Sequence, residues 1–290
     1  MSQDLNYKHF IITQFNLRNF PKSENNEYEK WVNWTRNRII LFKKYCLPSV
    51  LNQSEKDFTW LLYLDSETPQ EFLGFIDEMN EYPNIEVFLC SGAEGFQNHY
   101  MDAAYQKIDK DTRWIVTSRM DNDDAVHRNM VKIIQQELEF KHGYLVSLAS
   151  GYVFDESRKK MAHYFYPMSP FLTIVEDSKV AKGIFEKGHT IWPNLRLRIY
   201  KEIWVEWFSK KSRMVRFVLC QPLWLQVVHQ TNVSNSFFRG LPVVRSKSLE
   251  NFGMDLETTP SKWAETSKYI NYVYWKRYFK STIVKFLLKH

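Results

Sequence analysis

The chain has 290 residues, 44% of them hydrophobic and 16% aromatic, which is too apolar for disorder and enough for one sizeable core. Thirty-nine basic residues against 33 acidic leave a formal net charge of +6, which favours an anionic or phosphorylated partner without choosing one. Three cysteines, Cys46, Cys90 and Cys220, exclude a disulfide framework, and no apolar run reaches the ~18 residues of a membrane span. Met1–Asn16 has no basic start followed by an apolar stretch, so a reducing cytoplasm is the expected compartment.

His9–Phe15 reads as a buried strand ending at Asn16, and Tyr28–Tyr45 follows as a helical pattern. Leu47–Gln53 is a short helix with Pro48 near its start, where a missing N–H does no harm. Phe58–Asp65 is a second strand with a carboxylate at its end. Helical Pro69–Asn80, strand Asn84–Cys90 and helical Gln97–Ile108 lead to a fourth strand at Trp114–Thr117. Strands and helices alternating at this spacing predict a largely parallel sheet with helices on both faces, an α/β fold.

Behind the fourth strand stand Arg119 and then Asp121, Asp123 and Asp124 within four residues. Crowded carboxylates disfavour each other's ionisation, and a hard divalent cation removes that cost. The competing reading is an acidic turn with Asp124 capping a helix over Ala125–Phe140. An EF-hand is excluded, because the turn glycine and the closing glutamate are missing. The cluster sits at the carboxyl end of a strand, where open α/β sheets bind ligands.

Farther on, Tyr144–Phe154 is strand-like with a break near Ser150-Gly151, and Met161–Tyr166 is its hairpin partner. Phe171–Val175 is a strand ending in Glu176-Asp177, which would make the sheet mixed. Lys201–Ser209 and Gln221–His229 read as helices. Trp263–His290 interleaves aromatic and apolar residues with lysines and one arginine, the pattern of a basic amphipathic helix able to lie on a membrane surface or dock on the domain.

These residues resemble the GT-A glycosyltransferases of the family 2 type, and more narrowly a bacterial rhamnosyltransferase family. Ser49-Val50-Leu51-Asn52-Gln53 followed by strand Phe58–Asp65 is similar to the opening of family 2 enzymes, and Asp121-Asn122-Asp123-Asp124 stands where they carry Asp-Ala-Asp-Asp. Thr117–Asp124 and Trp224–Asn235 are similar to segments of the narrower family, from which Gln14 and Gln230 depart.

The resemblance covers most of residues 8–240 and implies a GT-A domain over residues 1–245; the pattern of the tail, outside the resemblance, makes 246–290 a C-terminal basic amphipathic helical extension. It implies an inverting, metal-dependent transfer of a sugar, rhamnose first, from a dTDP- or UDP-sugar to a glycan or lipid-linked acceptor. Asp123 would hold Mn²⁺ or Mg²⁺ at the donor diphosphate, with Asp121 on the ribose or the cation and His229 as a further ligand; His189 is a weaker rival. Asp65 would accept a hydrogen bond from the nucleobase, flanked by Phe15 and Asn16, and Arg119 would pair with phosphate. Deprotonating the acceptor hydroxyl requires a general base, for which Asp177 and then Glu176 are favoured, with Asp155 the alternative. The tail would hold the enzyme at the inner face of the membrane. A nucleotidyltransferase or phosphohydrolase could also use a strand-end carboxylate pair. A nucleic-acid-binding protein is the rival outside enzymes, but its charge would form one stripe with stacking aromatics, so no nucleic-acid partner is expected.

Overall fold

A computed structural model of the chain describes residues 6–20, 25–167, 169–187, 214–219, 221–229 and 237–273. The strands are β1 (Tyr7–Gln14), β2 (Thr59–Asp65), β3 (Ile85–Cys90), β4 (Trp114–Arg119), β5 (Ala125–Val126), β6 (Tyr144–Leu148), β7 (Ser150–Asp155), β8 (Lys160–Phe165), β9 (Leu172–Asp177), β10 (Val215–Val218), β11 (Trp224–Val228) and β12 (Leu241–Pro242). The helices are α1 (Asn25–Leu41), α2 (Leu47–Leu51), α3 (Leu73–Asn80), α4 (Gly92–His99), α5 (Asp102–Gln106) and α6 (Met130–Gln136).

Seven strands form the main sheet in the order β10-β6-β9-β4-β1-β2-β3. The β4-β1-β2-β3 half is parallel, while β9 runs antiparallel to both β4 and β6. All seven residues of β2 are buried or half-buried, the signature of a strand covered on both faces. One core packs Ile11, Trp60, Leu62 and Val116 against Phe42, Phe75 and Met79; the other packs Phe10, Ile12 and Leu61 against Phe96 and Tyr100. The expected mixed, mostly parallel α/β sheet is therefore present.

Five strands form a second sheet in the order β12-β8-β7-β11-β5. The chain crosses between sheets at Ala149, so the break read near Ser150-Gly151 is a change of sheet. Trp224 marks the crossing. Its indole stacks on Phe171 with centroids 5.3 Å apart and donates to the Leu148 carbonyl at 2.7 Å. A Cβ at Gly151, just past the crossing, would overlap that indole, so residue 151 must be glycine.

Two helices expected from sequence take other forms. Ala125 and Val126 pair with Leu225 and Trp224 as a short strand, and Val126 N–H is taken by Ser49 Oγ at 3.1 Å; the helix starts only at Met130. Gln221–His229, expected as a helix, instead carries β11, between β7 and β5. Leu225 and Val227 alternate onto one face, packing with Tyr45 and Phe154, and sheet pairing overrides a weak helical pattern. The expected helix Lys201–Ser209 lies outside the described residues.

Past residue 245, Leu249, Phe252 and Met254 join that same cluster. Residues 263–273 are helical, tied down where Lys160 Nζ meets Glu265 at 2.6 Å. Among the described residues no helix is long and apolar enough to cross a membrane.

Candidate active site

The acidic loop is fixed by the strand it leaves. Met120 N–H bonds to the Ile12 carbonyl at 3.1 Å, continuing the β4–β1 pairing, and Asn122 Nδ2 then donates to the Gln14 and Phe15 carbonyls at 3.0 and 2.7 Å. Asn122 thus clamps the loop to the end of β1. Beneath it, α1 passes through a π-helical turn at Phe42–Cys46, a distortion frequent at functional sites, and Cys46 Sγ donates to the Asp121 carbonyl at 3.7 Å.

The three carboxylates have separate roles. Asp124 is buried at 1% exposure and accepts the Val227 N–H at 3.0 Å, so it anchors β11 to the loop. Burial, then the nearby Asp123 and Asp121 charges, push its carboxyl well above the ordinary range. Asp123 faces His229 Nε2 at 3.3 Å and is ion-paired to Arg38. Burial alone would raise it, but the His229 hydrogen bond and the Arg38 guanidinium outweigh that and hold it below the usual carboxylate range. Asp121 is the most open, with Arg119 Nη2 at 3.0 Å and the Arg119 guanidinium carbon 5.2 Å from the Phe185 ring centroid.

Asp65 ends β2, two strands from β4 across β1, which puts it roughly 10 Å from the loop on the same sheet edge. It is wholly buried, and Arg18 meets it through N, Nε and Nη2 at 3.0, 3.1 and 3.1 Å. Asn16 Oδ1 accepts the Asp65 N–H at 3.0 Å, while Trp31 Nε1 donates to the Asn16 carbonyl at 2.6 Å. Phe15, expected beside a nucleobase, is instead a core side chain between Phe42 and Phe75, with centroids 5.2 and 5.0 Å away.

The Glu176 and Asp177 assignment requires correction. Because β9 is antiparallel to β4, Asp177 lies opposite Trp114, where β4 begins, and not beside the loop where it ends. That separation is the length of β4, roughly 16–20 Å at the usual rise per residue. Glu176 is 4% exposed and already accepts the Gly183 and Lys182 N–H groups at 2.7 and 3.2 Å. Neither side chain reaches the carboxylate edge.

Asp155 does lie near it. Its strand β7 runs parallel to β11, so Asp155 stands opposite Val228, next to His229. Asp155, Glu156, Ser157, Val228 and His229 line a cleft of ≈ 630 Å³ with Asn37, Ile40 and Leu41 of α1, within the volume range of ligand sites. Asp155 accepts from Ser157 Oγ at 2.7 Å and Arg158 N at 3.0 Å, and Glu156 is held by Lys44 and Tyr45 at 2.7 and 2.8 Å.

Among the described residues no three His, Cys, Asp or Glu side chains converge on a metal position. Asp123 Oδ2 and His229 Nε2 nonetheless lie only 3.3 Å apart, and two protein ligands suffice where substrate phosphate supplies the rest. A cation would fit there only with Arg38 displaced from Asp123 and with substrate oxygens completing its shell. His189 lies outside the described residues. Sequence reasoning missed Arg18, Trp31 and Arg38; the signal for Arg38 is its place on the buried face of α1, seven residues after Trp31 and three after Thr35.

A mostly parallel sheet with an Asp-x-Asp-Asp loop at the end of its fourth strand, beside an open cleft, is the arrangement expected of the GT-A fold. The chain belongs to the family described as "Putative rhamnosyl transferase", whose model matches residues 23–201. No curated protein matches the sequence. Among solved structures, the chain is similar to S. aureus TarS residues 1–349 at 11% identity and TM-score 0.38, over 76% of this chain and 60% of that one. It is also similar to the inositol-1-phosphate CTP transferase of T. maritima (11% identity, TM-score 0.34, 78% and 92% covered). A structure described as a "putative nucleotide-diphospho-sugar transferase from Desulfovibrio desulfuricans G20" gives 11%, 0.33, 81% and 91%.

Proposed function

We propose that this glycosyltransferase moves rhamnose from dTDP-rhamnose, with inversion, onto a glycan or lipid-linked acceptor. The observation that carries the reading is the common edge: Asp121 and Asp123 end β4, Asp65 ends β2, and the loop adjoins the cleft at His229. A donor nucleotide laid along that edge would have its base end toward Asp65 and Asn16, which are fully buried and would act through the backbone and the Arg18 side chain they hold. Its diphosphate end has Asp123, His229 and Arg119. Rhamnose itself rests on the family.

Asp123 and His229 would hold Mn²⁺ or Mg²⁺ together with the diphosphate, and Asp121 would lie at the ribose. When bound there, the cation supplies Lewis-acid neutralisation of the departing diphosphate, a contribution of several kcal/mol. The acceptor fits the cleft beyond His229, where Asp155 is the carboxylate placed to take its proton. The basic tail would bring the enzyme to anionic lipid at the inner face of the membrane.

The test is product analysis. Turnover with dTDP-rhamnose and Mn²⁺ should release dTDP, whereas release of dTMP would identify a nucleotidyltransferase or phosphohydrolase. UDP-sugars run in parallel decide the base.

A further inference from the structure

Asp123 carries its charge in a nearly closed setting: its side chain is 14% exposed and that of Arg38 10%. Both contacts fall on one carboxylate oxygen, Oδ2, with Arg38 on one side and His229 Nε2 on the other. A guanidinium therefore stands as counter-ion where the proposed cation would bind. A divalent cation and a guanidinium held on one oxygen would repel each other strongly in so little solvent. One must leave for the other to enter.

Arg38 has somewhere to go. Its Cζ lies 4.6 Å from the Trp34 ring centroid, and with Lys30, Asn33, Trp34 and Asn37 it lines a hollow of ≈ 290 Å³. The guanidinium can turn off Asp123 into that hollow while keeping the indole face. A planar fork of donors suits bidentate contact with phosphate oxygens, and Lys30, paired with Glu27 at 2.6 Å, stands at the rim.

We infer that Arg38 is a donor-binding residue with two positions: on Asp123 before the donor arrives, and on the donor's diphosphate afterwards. This rests on the nucleotide-sugar reading above. Its consequence is reciprocal coupling. The cation gains Asp123 only when Arg38 leaves, and the diphosphate gives Arg38 its new partner, so each ligand strengthens the other.

Titration calorimetry tests this with Mn²⁺ alone, with dTDP or UDP alone, and with both, on the wild-type chain, Arg38→Gln and Arg38→Lys. Arg38→Gln should bind Mn²⁺ alone about fivefold tighter and the nucleoside diphosphate about tenfold weaker, reducing the coupling between them. Arg38→Lys keeps the charge and loses the fork, so it should bind Mn²⁺ like the wild type and the diphosphate more weakly; it also answers if the Gln variant does not fold. A merely structural Arg38 would weaken both ligands or neither, and either result overturns the inference. So does dTDP binding in a protein that takes up no Mn²⁺. If the wild-type chain binds neither nucleoside diphosphate, the nucleotide-sugar reading falls as well; if it binds one and the Arg38 variants match it, only the role of Arg38 falls.

Discussion

His229 Nε2 lies 3.3 Å from Asp123 Oδ2, although 106 residues separate them in the chain. The two meet because Asp124 holds the Val227 N–H, so the loop that carries Asp123 also fixes the strand that delivers His229. Asp123→Asn removes the charge and keeps the shape. Steady-state assays should show kcat falling about 10²–10³-fold, the scale of losing one electrostatic contact to a departing group, and the melting temperature should fall as well, because the nearly closed Arg38 guanidinium loses its counter-ion. His229→Gln should lose less.

Asp124 should behave differently from its neighbour. Burial and adjacent charge already disfavour the charged form of Asp124, and an amide oxygen can still accept the Val227 N–H, so Asp124→Asn should cost less than Asp124→Ala. Asp124→Ala strands the Val227 N–H and should cost about 1–3 kcal/mol. Denaturant midpoints measure both.

The base assignment is tested by three substitutions. Asp177→Asn and Glu176→Gln, far from the loop, should keep near-wild-type turnover. Asp155→Asn should lower kcat about 10²–10⁴-fold while donor binding persists. Binding of dTDP read beside kcat separates the two effects.

Acid stability should depend on His9. It is 3% exposed, with Nε2 2.7 Å from Ser118 Oγ, and burial lowers its pKa from 6.5 to about 3. Between those values the unfolded chain binds a proton that the folded chain refuses, so the contribution is present above pH 6.5 and lost as pH falls. The slope from this one group approaches about 1.4 kcal/mol per pH unit. Unfolding curves of wild type and His9→Gln across pH 3–7 should converge at the acid end.

The parallel half of the sheet was legible because each strand is a short apolar run with a polar end, and the loop because its carboxylates are adjacent. Phe15 misled, since a residue at a strand end reads the same whether it faces a ligand or, as here, Phe42 and Phe75. Asp177 misled for a topological reason. A strand-ending carboxylate marks the ligand edge only if its strand is parallel to the others, and the direction of β9 is set by pairing with β4 and β6, not by its own residues. Gln221–His229 was lost because β11 is only five residues long and almost wholly buried, so it offers no polar alternation to set against a helical pattern. Arg18 and Arg38 carry no local motif; their partners, Asp65 and Asp123, lie far along the chain.

The most direct test is anomalous diffraction from crystals grown with Mn²⁺ and dTDP. A manganese peak within about 2.3 Å of both Asp123 and His229, touching the diphosphate, is the predicted result. Nucleotide bound away from the Asp121–Asp124 loop, or manganese seated elsewhere, would contradict it.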